Sequence, residues 1–312
     1  MAASQQPRIA VILPCYNEEA AIGETVAGFR ASLPSATIYV YDNNSRDRTR
    51  EVAAKAGALL RTERQQGKRH VVRRMFADID ADVYVMADGD LTYDPKAAPA
   101  MVGLLLADQL DMVVGTRRHE EDTAYRGGHV LGNRLFNGLL SGLFGRTFSD
   151  IFSGYRVFSR RFVKTFPVLS EGFEIETEMS VHALELRMPV GEVETSYAAR
   201  PEGSQSKLST WSDGWRILKT IAVLYRVERP TLFYGGIGAL LLAAAIVLAA
   251  PLVVTYMHTG LVPRFPTAIL VTGMTIIAVL CFFAGLILDT VTRGRREVRR
   301  LAYLSLGAPE QL

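Results

Sequence analysis

Short apolar runs alternate with stretches of helical spacing along residues 1–230. Positions 8–13 (RIAVIL), 37–41 (TIYVY), 58–61, 83–87 (VYVMA) and 112–115 predict strands, and positions 18–33, 49–58 and 68–79 predict helices. Strand–helix alternation of this kind predicts an α/β fold with a mostly parallel, Rossmann-like sheet wound on both faces. Ligands of such sheets sit outside the carboxyl ends of the strands.

The pattern changes abruptly at about residue 232. Positions 232–256 (LFYGGIGALLLAAAIVLAAPLVVTY) and 267–288 (TAILVTGMTIIAVLCFFAGLIL) carry no charge and no polar face. Each meets the roughly 20 apolar residues that a helix needs to cross a bilayer. Pro251 lies late in the first run, where a kink is expected, and Gly235, Gly236 and Gly238 suit close helix packing. The connection, MHTGLVPRFP, carries one Arg. Arg216, Lys219, Arg226 and Arg229 precede the spans, and Arg293, Arg295, Arg296, Arg299 and Arg300 follow them. The positive-inside bias places both ends in the cytoplasm, as a multi-pass protein of the cell inner (plasma) membrane. Positions 211–229 (WSDGWRILKTIAVLYRVER) present Trp215, Ile217, Leu218, Ile221, Ala222, Leu224 and Tyr225 as a broad apolar face. The segment suits a helix in the headgroup plane or one packed on the globular domain, and the span that follows at once favours the former.

The domain organisation expected is therefore a cytosolic catalytic domain (1–207), an amphipathic juxtamembrane helix (208–230), two transmembrane helices (231–290) and a cytosolic basic tail (291–312). The first ten residues, MAASQQPRIA, lack the apolar core of a cleavable signal. Composition narrows the classes further. A net charge of +3 over 312 residues is too mild for nucleic-acid binding, and no basic–aromatic interleaving supports it. Cys15 and Cys281 are the two cysteines, one in a polar motif and one in an apolar run, so they read as unrelated small core residues rather than a disulfide framework.

Three polar motifs follow predicted strands. Pro14-Cys15-Tyr16-Asn17-Glu18-Glu19 opens a helix after the first strand, where backbone N–H groups and carboxylates can meet a base, ribose or phosphate; Asn17 is also a candidate helix cap. Asp42 ends the second strand, able to accept from a base or ribose, and Ser45 and Asp47 after it look like turn and cap residues. Asp88-Gly89-Asp90 follows the fourth strand. Two carboxylates one residue apart can face a single Mg²⁺ or Mn²⁺ that bridges to a diphosphate, and Gly89 would leave room for the phosphate.

With these motifs in this order, the chain resembles family 2 glycosyltransferases of the GT-A fold, and within them the polyprenyl-phosphate glycosyltransferases, whose bacterial members share the two-helix hairpin. Gly115-Thr116-Arg117, Asn133-Arg134-Leu135-Phe136-Asn137, Asp150-Ile151-Phe152-Ser153-Gly154-Tyr155-Arg156 and Arg200-Pro201-Glu202-Gly203-Ser204-Gln205-Ser206-Lys207 match further blocks of that family. The resemblance implies that Pro14, Tyr16, Glu18 and Asp42 line the nucleotide pocket. It implies that Asp88 and Asp90 carry the metal and donor diphosphate, and that Arg117, Arg134, Arg200, Ser206 and Lys207 hold the acceptor phosphate. Asp150 would orient the acceptor or act as a base. Thr92 stands where the archaeal dolichol-phosphate mannose synthase has a metal-contacting Gln. Gly67-Lys68-Arg69-His70 departs from the family's G-K-G turn, and His70 reads as a surface residue.

The activity expected is inverting transfer of one sugar from a UDP- or GDP-linked donor to a polyprenyl (undecaprenyl) phosphate at the cytoplasmic membrane face. The resemblance favours uridine, and similar bacterial enzymes are often tetramers, so a homo-oligomer is a candidate assembly. Transfer to another lipid or saccharide acceptor, or an inactive membrane scaffold, are the alternatives. A processive polysaccharide synthase would need a Gln-x-x-Arg-Trp block and more membrane helices. A dehydrogenase would need G-x-G-x-x-G after the first strand, and the sequence has neither.

Overall fold

The computed structural model describes residues 6–119, 138, 148–168, 175–198, 222–223 and 225–309. The chain divides into two compact units, Met1–Ile217 with Arg299–Leu312, and Leu218–Val298.

In the first unit, strands β1 (Ile9–Cys15), β2 (Thr37–Asp42), β3 (Leu59–Thr62) and β4 (Val83–Met86) alternate with helices α1 (Ile22–Ser32), α2 (Thr49–Lys55) and α3 (Lys68–Asp78). A short 3₁₀ turn (Pro95–Ala97) and α4 (Ala98–Ala107) lead to β5 (Met112–His119). Beyond it come β6 (Arg156–Ser159), α5 (Arg160–Thr165), α6 (Ile175–Glu185) and β7 (Val190–Tyr197). The described strands form one sheet in the order β3-β2-β1-β4-β6-β5-β7. Helices cover both faces of its centre, which explains why β1 and β4 are unbroken apolar runs: Val11, Ile12, Leu13, Val83, Tyr84 and Val85 have no exposed surface.

β1 runs parallel to β2 and β4, with Cys15 level with Asp42 and Ile12 level with Met86. The carboxyl ends of β1, β2 and β4 therefore share one edge, and the three sequence motifs leave the sheet there. β6 is antiparallel to both neighbours, and its first residue, Arg156, pairs with Met86, near the end of β4. The block before β6 thus enters the sheet where Asp88 leaves it.

Several boundaries differ from those expected. Helix α1 starts at Ile22 rather than at 18, because Glu18 C=O accepts from Ala21 and Ile22 N–H in a turn (3.1 and 2.9 Å) and Asn17 sits at φ +56°. β5 continues four residues past 115, its added length paired with β7 out to His119–Tyr197. β6 and β7 were not foreseen. β6 is four residues that begin with an arginine, and β7 (VGEVETSY) mixes charges and a glycine into its run.

The second unit contains α7 (Pro230–Thr259) and most of α8 (Phe265–Leu304), two helices long and apolar enough to cross a membrane. Helix α7 continues through Pro251. Gly238 packs so closely that an added Cβ would lie 2.9 Å from Ala278 C=O, and one at Gly285 would lie 3.2 Å from Thr231 Cα. Gly235 also faces Phe282, whereas Gly236 meets nothing. Glu228, buried at the foot of this unit, accepts from Arg296 (2.5 Å). Helix α8 extends well beyond the apolar run, so the segment expected as a basic tail is helical to Leu304. Most of the expected amphipathic segment, 211–221, lies outside the described residues.

Candidate active site

The strand-end loops are fastened to each other before any ligand is considered. Asn17 accepts from Arg46 N–H (2.9 Å), and its own N–H donates to Ser45 Oγ (2.9 Å). It therefore ties the first motif to the second and does not cap α1. Asp47, one residue before the N-cap Arg48, accepts from Thr49 N–H (3.0 Å) where α2 begins, while Glu18 N–H donates to Thr49 Oγ1 (2.8 Å). Asp42 is buried at the end of β2 and accepts from Ser45 N–H at 3.3 Å. Its neighbour Asn43 reaches across to the third loop, donating to Glu63 and Gln65 C=O and accepting from Gly67 N–H (2.7 Å). Gly67 holds φ +125°, a conformation that favours glycine, and this turn delivers Lys68 as the first residue of α3.

The nominated carboxylates gather around one thiol. Burial raises the Cys15 thiol well above its ordinary pKa, and the charges of Glu18, Asp88, Asp42 and Asp90 add to that effect. Pro14 is buried and Tyr16 and Glu18 are half-buried beside it. Gly89 answers to this packing: an added Cβ would collide with Cys15 Sγ, so the core beneath the turn also requires the glycine.

Asp90 is buried, and its Oδ1 accepts from Thr92 Oγ1 (2.6 Å) and Thr92 N–H (3.3 Å). Thr92 thus orients the second acid of the pair. Asp88 is more open, its side chain 29% exposed, and it accepts from Lys68 Nζ. The same ammonium donates to Glu176 Oε1 at 2.6 Å. Burial alone would lower the Lys68 pKa, but Asp88 and Glu176 outweigh it and raise it, so the side chain stays charged.

The Asp150–Arg156 block lies against this pair. A Cβ added to Gly154 would be 2.8 Å from Asp88 Oδ2. Gly154 N–H donates to the Tyr93 hydroxyl (2.8 Å), and Tyr93 meets Tyr197 edge-on at 5.3 Å. The Arg117 guanidinium lies over the Tyr197 ring (5.4 Å) and grips Asp150 with two bonds, Nε–Oδ2 2.7 Å and Nη2–Oδ1 2.8 Å. Burial opposes both charges, yet the pair outweighs it: the Arg117 pKa is raised and the Asp150 carboxyl is held below its ordinary range. Arg156 serves a different end. It is fully buried and donates to Ser153 and Ile151 C=O (2.9 and 2.6 Å) and Ser180 Oγ (2.8 Å), so it shapes the Asp150–Arg156 turn from beneath. Burial lowers its pKa to about 10, which still leaves it charged at neutral pH.

Asp88, Asp90, Arg117 and Asp150 therefore share one edge of the sheet with Asp42 and Glu18. Arg134, Arg200, Ser206 and Lys207 lie outside the described residues. Sequence reasoning missed Lys68 as a partner of Asp88, although the Gly67-Lys68 turn was visible, and missed Tyr93 and Glu176, which stand in no motif. Asp88 and Asp90 could hold a divalent cation. They are hard oxygen donors on one turn, and no group of three or more His, Cys, Asp or Glu residues that could hold a metal ion by themselves occurs among the described residues. Such a set leaves positions for water and donor oxygens, as suits Mg²⁺ or Mn²⁺.

Known proteins are similar to this chain in sequence and in fold. The glycosyltransferase AglJ of Haloferax volcanii is 33% identical over 232 residues, covering 74% of this chain and 76% of that protein. A dodecaprenyl-phosphate galacturonate synthase of Rhizobium johnstonii is 26% identical over 248 residues, covering 75% of this chain and 72% of its own. Among solved structures, glucosyl-3-phosphoglycerate synthase of Mycobacterium tuberculosis in complex with Mn²⁺, UDP-glucose and phosphoglyceric acid superposes with a TM-score of 0.56. The two are 22% identical over 70% of this chain and 79% of that one, a likeness that gives the fold, GT-A. The model of glycosyl transferase family 2 matches residues 10–166, from β1 through α5, which includes Asp42, Asp88, Asp90, Arg117 and Asp150, and the chain belongs to that family.

Proposed function

We propose that the chain transfers a single sugar from a nucleoside-diphosphate donor to a polyprenyl phosphate, with inversion, at the cytoplasmic face of a membrane. The observation that carries this reading is the approach of Gly154 to Asp88, which joins the donor-side acids to the block before β6. A relative named for a polyprenyl-phosphate product supports the acceptor class, and two helices long enough to span a bilayer support a lipid substrate.

In this reading Pro14, Tyr16, Glu18 and Asp42 bind the nucleoside, with Asp42 held in place by Ser45. Asp88 and Asp90 would hold Mg²⁺ or Mn²⁺, whose charge would offset that growing on the departing diphosphate. A lipid phosphate oxygen forms the new bond to the anomeric carbon as the bond to the donor diphosphate breaks. One displacement inverts the centre. The phosphate is already anionic at neutral pH, so no strong base is needed. Asp150 has both oxygens on Arg117 and acts by aiming that guanidinium at the acceptor phosphate. Arg134, Arg200, Ser206 and Lys207 complete the acceptor site. Arginine and lysine flanking the two spans orient both termini to the cytoplasm.

Incubating the purified full-length protein with undecaprenyl phosphate, Mn²⁺ and a panel of UDP- and GDP-sugars tests this. A lipid product heavier by one hexose-type unit is expected, together with release of the nucleoside diphosphate. Sugar transfer only to a soluble or saccharide acceptor would refute the lipid reading. Undiminished turnover by Asp88→Asn in the presence of chelator would refute the metal role.

A further inference from the structure

We propose that Lys68 is an exchangeable counter-ion of Asp88, and that Glu176 is the positioning residue that retains Lys68 when a divalent cation takes Asp88. The inference rests on the reading of Asp88 and Asp90 as cation ligands.

Three elements bring the charges together: Lys68 opens α3, Asp88 follows β4, and Glu176 lies in the first turn of α6. One ammonium bridges both carboxylates, on Asp88 Oδ1 and Glu176 Oε1. The two anchors are unequal. The Glu176 side chain is 10% exposed and that of Asp88 is 29% exposed. A carboxylate as deep as Glu176 loses much if its cation leaves, whereas Asp88 can be served from the open side. The base of Lys68 is fixed, because Gly67 N–H is held by Asn43 Oδ1 at 2.7 Å. Exchange therefore needs only rotation of a flexible four-carbon side chain about a rigid turn.

An ammonium and a divalent ion that meet at the same carboxylate repel each other, and each weakens the other's hold on it. With no cation bound, Lys68 neutralises Asp88. When a divalent ion arrives, Lys68 withdraws to Glu176 and remains close by as a positive charge. A nucleoside diphosphate favours the second state, because its anionic oxygens compensate the extra cation. Metal and donor binding are thereby coupled through one side chain, and by linkage each strengthens the other equally.

The test is Mn²⁺ binding to the full-length protein in detergent, read from the electron paramagnetic resonance of free Mn²⁺, with and without UDP or GDP. Lys68→Met is expected to bind Mn²⁺ at least about fivefold more tightly than wild type without nucleotide, and to gain less from nucleotide. Lys68→Gln, which keeps a donor for Glu176, is expected to move the same way and guards against misfolding of the first variant. Glu176→Gln strands Lys68 on Asp88 and is expected to weaken binding by about fivefold. In the Lys68→Met background that weakening largely disappears. Unchanged or weaker binding by both Lys68 variants overturns the exchange. So does a double variant as weak as Glu176→Gln, which would make Glu176 itself a ligand. If wild type and all variants bind no Mn²⁺ with either nucleotide, the cation reading fails and the exchange falls with it.

Discussion

A methyl group on Gly154 would stand 2.8 Å from Asp88 Oδ2 and 3.3 Å from both Lys68 Nζ and the Tyr93 hydroxyl. The bare backbone at this position sets the separation between the block before β6 and the acids after β4. Its neighbours are the proposed cation ligand Asp88, its partner Lys68 and the Tyr93 hydroxyl, so they cannot yield without displacing the proposed donor site. Gly154→Ala is expected to lower kcat/KM by about 10–100-fold at a stability cost of about 1–3 kcal/mol. Steady-state rates on protein that passes a thermal-unfolding check measure this. Wild-type kcat/KM would make the close approach incidental.

Arg117 and Asp150 form a two-bond pair whose side chains are 24% and 14% exposed. If Asp150 works by holding Arg117, Asp150→Asn keeps the shape and one acceptor oxygen but loses charge. The expected result is a rise in KM for the lipid phosphate of about 10-fold, a smaller change in kcat, and an unchanged pH–rate profile. Loss of an acidic limb from the profile would instead assign Asp150 a proton-transfer role.

The central strands were legible because β1, β2 and β4 are buried on both faces and leave near-continuous apolar runs. The Asp-Gly-Asp turn was legible for the same reason: polar residues at the end of such a strand stand out. β6 was hidden because its inward polar residue, Arg156, is satisfied by carbonyls of its own turn, a partnership that no local pattern announces. Lys68 and Glu176 are separated by more than a hundred residues, and only the sheet order brings them to Asp88. The packing of Gly89 on Cys15 was hidden for the same reason, because the two residues are far apart in the chain.

His182 titrates against the fold. It is 2% exposed, its Nε2 lies 3.2 Å from Thr165 Oγ1, and the rings of Phe162 and Phe166 meet it edge-on. Burial, with a smaller push from Arg299, lowers its pKa to about 3 from an ordinary 6.5. The unfolded chain therefore binds a proton that the folded protein refuses. The stability linked to His182 is complete above pH ~6.5 and falls as pH drops toward 3, by up to about 1.4 kcal/mol per pH unit. His182→Leu removes that dependence. The stability gap between wild type and variant, measured by denaturant unfolding, is expected to narrow steadily between pH 6.5 and 4.5. A gap that stays constant would mean that His182 does not resist protonation in the folded protein.

Tyr303 belongs to the segment Arg299–Leu312, which returns to the first unit. There its hydroxyl donates to Asp111 Oδ2 at 2.8 Å, while Ser159 Oγ (2.6 Å) and Arg161 serve Oδ1. The Asp111 side chain is fully buried, and the Arg161 guanidinium lies 4.8 Å over the Tyr303 ring. Burial and Asp111 push the Tyr303 phenol up to about 12, so it remains a donor across the physiological range. Nearby, Arg299 donates to the nearly buried Glu185 at 2.6 Å. Tyr303→Phe keeps the ring over Arg161 and deprives a buried carboxylate of one donor, at an expected cost of about 1–3 kcal/mol. Removing residues 299–312 takes one partner from each of the two carboxylates at once and is expected to cost more than the single substitution. Thermal unfolding of the solubilised full-length and truncated proteins, followed by near-UV circular dichroism, reads both effects. If truncation leaves the unfolding of the first unit unchanged, the returning segment contributes nothing to its stability, and the bonds to Asp111 and Glu185 are exchanged for water without loss.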